Sequence, residues 1–231
     1  MILTTEQLLQ QNPDAFKEIK RKAEADERRG TWLAKRRGRI TASSTHKLFT
    51  KRYETADNTT SRGYINEIIA EGFGSTIPHY SNKAMQWGND NEVAAVKAYM
   101  ENTGNQVEKY GDEQEFVTWG KRCGATPDGL IGEDGTLQVK CPYNPGVHVS
   151  YLKLKTSEDV KDNIPEYYIQ MQMEILCTGR DWCDFVSFDP RTREDKQLHV
   201  VRIQKDEPFQ RVLIAHLTNL EEEIEKAIDT I

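Results

Sequence analysis

The sequence predicts a single domain of the α/β (α+β) class, in which helices flank a central mixed β-sheet. The order of the patterns is the first reason, because amphipathic segments come first, short alternating segments follow, and the two kinds then alternate. The second reason is size, since a chain of 231 residues with 37% hydrophobic content can bury a core. The third is that no repeat, low-complexity tract or convincing linker divides the chain. We therefore expect one domain over residues 1–231, with a charged helical segment at 1–30 and the core at 31–231.

The first hundred residues are predicted to be mainly helical. The charged stretch NPDAFKEIKRKAEADERRG begins near a proline and is expected to end at Gly30. The motif ITASSTHKLF offers hydroxyl residues as caps for a short helix, and SRGYINEIIAEGFG predicts a longer helix that ends at glycines. A further helix is expected over residues 83–102, because apolar residues recur there at near-helical spacing until Gly104.

Beyond residue 104 the apolar pattern changes to a period of two. The segments QEFVTWG, KRCGAT, DGLIG and GTLQVKC predict four strands, and Glu133–Gly135 predicts a hairpin turn between the last two. Next, EYYIQMQMEILCTG predicts a helix that ends at Gly179, DFVSFDP and QLHVVRIQ predict two strands, and an amphipathic helix closes the chain. The polar residues 153–163 are expected to form an exposed loop.

The composition argues against several classes of protein. The four cysteines include no C-x-x-C pair and none of the five histidines has metal-ligand spacing to another, so we expect neither zinc nor an iron–sulfur cluster. The N-terminus carries no apolar run, which predicts a reduced, cytoplasmic protein with no membrane contact. A formal charge of −6 does not exclude a nucleic-acid enzyme, because a local basic path such as KRRGR at 35–39 can lie on an acidic body.

The joint placement of Asp128, Gln138 and Lys140 suggests a catalytic site. Each residue alone is a weak indication, and Pro-Asp-Gly is a common turn. Gln138 and Lys140 lie two positions apart in a predicted strand and so point to the same face, while Asp128 lies at the entry to the hairpin. A carboxylate there can share a metal ion with position 138, Val139 can add its backbone carbonyl, and the Lys140 ammonium can reach an attacking water. Phosphodiester hydrolysis uses such a set with one or two Mg²⁺ ions, about 4 Å apart when paired.

Six separate blocks of the sequence resemble the phage lambda exonuclease family, the viral-recombinase and alkaline-exonuclease branch of the PD-(D/E)xK nucleases. They occur in the family's order and together span most of the chain. The resemblance implies a PD-(D/E)xK, restriction-endonuclease-like core. The blocks are WLAKRRGRITAS (32–43), WGNDNE (87–92), TPDG (126–129), LQVKCP (137–142), YYIQMQ (167–172) and FDPR (188–191).

The resemblance assigns expected roles around a Mg²⁺ ion, for which Mn²⁺ should substitute. Asp128 is implied to be the central metal ligand, with Gln138 at the position of a second ligand and Val139 lending its carbonyl. Lys140 is implied to orient or deprotonate the attacking water. Glu92 corresponds to the family's additional acidic residue near the metal, directly or through water; without the resemblance it would be a solvent-facing carboxylate on a helix.

A second set of residues matches positions that hold the 5′-terminal phosphate of DNA in the family. Guanidinium and hydroxyl groups suit a phosphate, although Thr126 stands where a serine is familiar. Some neighbouring residues are expected to support this pocket or to contact DNA, the alternative being that they only pack in the core. The phosphate-holding residues are Arg36, Ser43, Thr126 and Gln170, and the supporting residues are Trp32, Thr41, Tyr167 and Gln172.

Gln138 departs from the family, which has Glu at this position. The amide keeps the shape and one oxygen but loses the charge, so it should weaken Mg²⁺ binding and slow cleavage. Two interpretations remain open: a natural variant, or a substitution introduced to keep DNA uncut. The intact surrounding blocks favour the second interpretation.

The resemblance predicts a metal-dependent exodeoxyribonuclease that digests the 5′ strand of linear duplex DNA and leaves a 3′ single-stranded tail. It also implies a homotrimeric ring around DNA and a single-strand annealing protein as partner in phage-type recombination, inside a bacterial host. One alternative is an endonuclease or junction-resolving enzyme on the same core. Another is a non-catalytic protein that binds DNA ends, for which Gln138 is the only support.

Overall fold

The computed structural model describes residues 13–78 and 81–230. The chain divides into two units, residues 1–36 and 37–231. The first part of the predicted charged segment, residues 1–12, lies outside the described residues. In the first unit, helix α1 spans Pro13–Arg36. The expected end at Gly30 is therefore wrong: one glycine inside a helix costs only about 1 kcal/mol, and the residues that follow it are compatible with a helix. Basic residues in the last turn, Lys35 and Arg36, favour an end at Arg36 through the helix dipole.

The second unit alternates strands with helices, and its two longest strands and its longest helix are the last three elements of the chain. Short 3₁₀ turns lie at 46–48, 111–113 and 194–196. The helices and strands, in chain order, are β1 (Ile40–Thr41), α2 (Ala42–Thr45), α3 (Thr59–Gly72), α4 (Lys83–Thr103), β2 (Val107–Glu108), β3 (Val117–Trp119), β4 (Cys123–Ala125), β5 (Gly129–Ile131), β6 (Gly135–Lys140), α5 (Pro145–Tyr151), α6 (Ser157–Asn163), α7 (Pro165–Thr178), β7 (Trp182–Phe188), β8 (Leu198–Gln204) and α8 (Glu207–Thr230).

The strands form two mixed sheets. The larger has the order β2-β5-β6-β7-β8, in which only β6 and β7 run parallel. The smaller has the order β1-β4-β3, in which β1 is parallel to β4. The predicted fold class, a mixed sheet flanked by helices, is confirmed, as is the hairpin turn between β5 and β6. The predicted stop of α7 is also confirmed, because Gly179 takes the left-handed conformation with φ 67°.

Helices α4 and α7 pack against the central part of the larger sheet. Strand β6 lies between two hydrophobic clusters, and its side chains alternate between them. Leu137 and Val139 belong to the cluster that contains the apolar side chains of α4. Gln138 points the other way and contacts Gln170 of α7. The period of two predicted for this strand therefore places Gln138 and Lys140 on one face, toward α7.

The connection between β6 and α7 differs from the prediction. Residues 153–163 are not a loop throughout, because α6 begins at Ser157 with a capping box between Thr156 and Asp159. Helix α5 was not predicted; Asn144 accepts a hydrogen bond from the Gly146 backbone N–H at 2.9 Å and Pro145 occupies the first turn. Over the described residues, no helix is long and apolar enough to cross a membrane.

Candidate active site

Asp128 immediately precedes β5, which lies between β2 and β6 in the larger sheet. Its backbone N–H donates a hydrogen bond to the carbonyl of Leu137 at 2.9 Å, which places its side chain beside the end of β6. The next residue, Gly129, allows a close approach of β2: a Cβ atom there would lie 2.4 Å from Val107 Cγ1. The Pro-Asp-Gly turn thus fixes one carboxylate next to the strand that carries Gln138 and Lys140.

The Asp128 carboxylate is held by β6. Its Oδ2 atom accepts a hydrogen bond from the Val139 backbone N–H at 2.7 Å and another from Gln138 Nε2. Burial raises the pKa of Asp128, and the Lys140 ammonium and these two hydrogen bonds oppose that rise. A carboxylate in this environment gains stability from any additional positive charge.

The Gln138 side chain bridges Asp128 and helix α7. Besides its bond to Asp128, Nε2 lies 3.4 Å from the Val139 carbonyl, and Oε1 accepts a hydrogen bond from Gln170 Nε2. The atom of Gln138 that faces Asp128 is therefore a donor, whereas a metal shared by these two residues would require an oxygen. The predicted role of Gln138 as a metal ligand stays a prediction, and its present bonds do not favour it.

Lys140 is positioned by α7. Its Nζ lies 3.5 Å from Gln170 Oε1 and 4.5 Å from the centroid of the Tyr167 ring. The Tyr167 ring in turn stacks on Phe185 and meets Tyr151 edge to face. This packing and the cation–π contact hold the ammonium on the face of β6 that also carries Gln138. Tyr167 thus packs against the core and contacts Lys140, and its predicted role at the phosphate pocket stays a prediction.

Glu92 reaches the same region from α4. It is partly buried, and its Oε1 accepts a hydrogen bond from Gln114 Nε2 at 2.7 Å. Burial, and next the charge of Asp128, raise the pKa of Glu92 to about 8, against the hydrogen bond from Gln114 and the charge of Lys140. The alternative of a solvent-facing helix carboxylate is therefore not what the structure shows.

Glu174 is not among the site residues predicted from the sequence. It lies one helical turn after Gln170 on α7, and its exposed fraction is 0%. Oε1 accepts a hydrogen bond from Gln170 Nε2 at 2.9 Å, whereas Oε2 has no hydrogen-bond partner among the described residues. Burial raises the pKa of Glu174 well above its ordinary value, and the charge of Asp128 adds to the shift. The spacing Gln-x-x-x-Glu was visible in the sequence, but the block YYIQMQ ends before Glu174.

Three of the predicted phosphate-binding and supporting residues lie around the smaller sheet. Thr41 pairs with Gly124 of β4, and its Oγ1 lies 3.5 Å from Ser43 Oγ. Thr126 follows the last residue of β4. Elements α2 and β4 both pack against α7, which carries Gln170. The elements that contain or adjoin these hydroxyl residues thus pack against the helix that carries Gln170.

Arg36 and Trp32 belong to the first unit. Within α1 the guanidinium carbon of Arg36 lies 4.1 Å from the centroid of the Trp32 ring, a cation–π contact between residues one turn apart. Their predicted roles at the 5′ phosphate stay predictions.

The predicted contact of Gln172 with DNA is not supported. Gln172 has an exposed fraction of 0%. Its Nε2 donates to the Gln204 carbonyl at 2.8 Å, and its Oε1 accepts from the Asp206 backbone N–H at 3.0 Å and from Gln210 Nε2 at 3.0 Å. The side chain therefore joins α7 to the end of β8 and to α8. Two polar residues on an amphipathic helix are usually exposed, so the sequence did not predict that the side chains of Gln170 and Gln172 are both buried.

The residues around Asp128 fit a hard divalent cation. Asp128 and Glu92 offer carboxylate oxygens, and Val139 offers a backbone carbonyl. Burial raises the pKa of both carboxyl groups more than the surrounding hydrogen bonds and the charge of Lys140 lower it. In the described part of the chain, no three His, Cys, Asp or Glu side chains form a group that could hold a metal by themselves. Position 138, where the family resemblance implies a glutamate, carries an amide. The buried, unpaired oxygen of Glu174 is a further hard donor nearby.

Comparison with known proteins shows likeness to a sequence family and to solved structures. The model of the YqaJ-like viral recombinase domain matches residues 31–181. The crystal structure of an alkaline exonuclease, LHK-Exo from Laribacter hongkongensis, is 32% identical over 87% of this chain and 94% of that chain, with a TM-score of 0.73, and its complex with dAMP gives the same values. A phage-related exonuclease from Haemophilus somnus, at 17% identity over 83% of this chain and 95% of that chain and a TM-score of 0.66, shares the fold. A comparison with curated protein sequences gave no significant match.

Proposed function

Because the chain belongs to the YqaJ-like viral recombinase family and is related to alkaline exonucleases of the PD-(D/E)xK type, we propose that it is a metal-dependent exodeoxyribonuclease. Its substrate is the end of linear duplex DNA. It removes nucleotides from the 5′ strand and leaves a 3′ single-stranded tail. Mg²⁺ is the proposed cofactor, with Mn²⁺ as a substitute.

The observation that carries the proposal is the joint placement of Asp128, Lys140 and Glu92. The carboxylates of Asp128 and Glu92 lie close enough for their charges to interact, and the charge of Lys140 acts on both. When bound, Mg²⁺ would lower the pKa of a water molecule and offset charge on the scissile phosphate. The Lys140 ammonium, held by Gln170 and the Tyr167 ring, orients the attacking water.

The 5′ polarity rests on the hydroxyl residues around α7. Thr41, Ser43 and Thr126 supply hydroxyl groups suited to a terminal phosphate. The proposed bidentate contact of Arg36 with that phosphate comes from the family likeness alone. LHK-Exo has been crystallised with dAMP, a nucleoside monophosphate of the kind that such a reaction releases. By family likeness we further propose a homotrimeric ring on DNA, a single-strand annealing protein as partner, and action inside a bacterial host during phage-type recombination.

The proposal is tested by digestion of three DNA substrates. Linear duplex with a 5′ phosphate, linear duplex with a 5′ hydroxyl and closed circular duplex are incubated with the protein and with its Gln138→Glu variant, with Mg²⁺ or with EDTA. We expect Mg²⁺-dependent release of 5′ nucleotides, fastest from the phosphorylated end. Cutting of the circle would instead favour an endonuclease. End binding without digestion by either protein would favour the non-catalytic alternative.

A further inference from the structure

Position 138 leaves the site one carboxylate short. The amide nitrogen of Gln138 donates to Asp128 and its oxygen accepts from Gln170, so both ends of this side chain are engaged by protein groups. The affinity of an oxygen site for a divalent cation depends on the number of charged ligands. Glu92 is one acidic group beside Asp128. A nuclease site built around these two still calls for an acidic group that replaces the one missing at position 138.

An acidic group lies on the other side of the Gln170 amide. Glu174 follows Gln170 by one turn of α7, so both side chains occupy the same face of the helix. Gln170 Nε2 donates to Gln138 Oε1 and, at 2.9 Å, to Glu174 Oε1. The charges of Asp128 and Lys140 both act on the Glu174 carboxyl. Two amides thus connect Glu174 to the central carboxylate of the site.

The burial of Glu174 is not compensated by the surrounding protein. Its side chain is fully buried, and across residues 13–78 and 81–230 nothing donates a hydrogen bond to Oε2. Acidic side chains are rarely buried completely unless they are paired or coordinate a metal. A glutamine would fill the same space without this cost. Fold stability therefore does not explain the acid, whereas a nearby cation does.

We propose that Glu174 supplies the carboxylate that position 138 lacks, so that Asp128 and Glu174 together hold the divalent cation. The inference rests on the proposed nuclease function and names a ligand for its cation. It moves one acidic ligand from strand β6 to helix α7. The proposal also explains why a natural sequence would have glutamine at position 138. A glutamate there would add a negative charge beside Asp128 and the buried Glu174.

The test measures Mn²⁺ binding by calorimetry, independently of DNA digestion. Four proteins are compared with the chain as it stands: Glu174→Gln, Gln138→Glu, the double variant that combines both changes, and Glu166→Gln. Glu166 is an exposed acid on the same helix and serves as the matched control. Thermal melting in EDTA shows whether each variant folds. If Glu174→Gln does not fold, it is replaced by Glu174→Asp, which keeps the charge on a shorter side chain.

We expect Glu174→Gln to weaken Mn²⁺ binding about tenfold or more and Glu166→Gln to leave it unchanged. The double variant, which has its carboxylate back on β6, should recover most of the affinity. Glu174→Asp should also bind more weakly than the unchanged chain.

Two results would overturn the inference in distinguishable ways. If Glu174→Gln, or its substitute, binds Mn²⁺ as the unchanged chain does while Gln138→Glu digests duplex DNA, then Glu174 is not a ligand and the proposed function stands. If none of these proteins binds Mn²⁺ or digests DNA, the proposed function fails, and the inference fails with it.

Discussion

The Nε2 atom of Gln170 on α7 donates a hydrogen bond to Oε1 of Gln138 on β6. The same nitrogen donates to Glu174, and the Oε1 of Gln170 lies 3.5 Å from Lys140 Nζ. An amide nitrogen has two protons, so both donors of Gln170 are already in use. Gln170, which is predicted to hold the 5′ phosphate, joins helix α7 to strand β6. A phosphate would have to displace one of these partners.

Replacing Gln170 by leucine should destabilise the fold. Leucine is similar in size but leaves Gln138 and Glu174 without their donor, and a buried polar group that loses its partner costs about 1–3 kcal/mol. Urea unfolding of Gln170→Leu should show a loss of at least that size. The matched control is Gln86→Leu, since Gln86 lies exposed on α4 and should change stability by less than about 0.5 kcal/mol. Equal stability of both variants would contradict the bridging role.

Glu174 should make the metal-free protein less stable as the pH rises. Burial and Asp128 raise its folded-state pKa, while Lys140 opposes the shift and the thiols of Cys177 and Cys183 lie within electrostatic range. A raised carboxyl pKa means that the folded state keeps a proton that the unfolded state loses. The associated stability is fully present below the ordinary pKa of 4.5 and is lost as the pH increases above it.

Melting of Glu174→Gln in EDTA between pH 5 and pH 9 checks this expectation. At pH 5 the variant and the unchanged chain should melt at similar temperatures. At pH 9 the variant should melt higher, by roughly 2–4 °C for each kcal/mol that the carboxylate costs. A difference that is constant across this range, or that shrinks with rising pH, would contradict the assigned direction.

Local patterns predicted most elements of this fold, and the fold class followed from their order. The strand β6 is the clearest case, since its period of two correctly placed Gln138 and Lys140 on one face. The errors arose where packing or capping overrides composition. Gly30 lies inside α1, and the polar residues 153–163 contain a helix because Thr156 and Asp159 cap it.

The site was predictable only where a motif marks it. The sequence predicted that Asp128 and Lys140 lie together, because they flank a hairpin whose geometry is regular, and their charges do interact. It did not identify Glu174, since a polar residue on a helix shows its direction only when the packing of both helix faces is known. Helix α7 is buried along most of its length, so Gln172 and Glu174 are both internal although they resemble surface positions.

Gln172 should matter for folding and not for DNA. Its bonds to Gln204, Asp206 and Gln210 tie α7 to β8 and α8, so Gln172→Ala should lose about 1–3 kcal/mol of stability. Below its melting temperature the variant should bind duplex ends with the affinity of the unchanged chain. Fluorescence anisotropy with a 5′-phosphorylated duplex measures this. Weaker end binding by a fully folded variant would restore the prediction made from sequence.

Lys140 should be needed for cleavage and not for binding the cation. Lys140→Met keeps the length of the side chain and removes the charge that orients the water, so digestion of linear duplex should fall about 10²-fold or more. Calorimetry should still detect Mn²⁺ binding, because an ammonium is not a metal ligand. The control is Lys97→Met, an exposed lysine on α4. If Lys140→Met digests DNA as fast as this control, Lys140 has no catalytic role.

Glu92 should make cation binding depend on pH. Its pKa is raised to about 8, chiefly by burial and then by Asp128, while Gln114 and Lys140 oppose the shift; the Cys141 thiol also lies within electrostatic range. A divalent cation binds the ionised carboxylate, so protons compete with it below this pKa. Mn²⁺ affinity should therefore increase between pH 6 and pH 8, and binding near pH 7 should release protons. Calorimetry in buffers of different ionisation enthalpy counts those protons.

The variant Glu92→Gln should release fewer protons on Mn²⁺ binding and show a flatter pH profile of affinity. An unchanged profile in that variant would exclude Glu92 from the cation site.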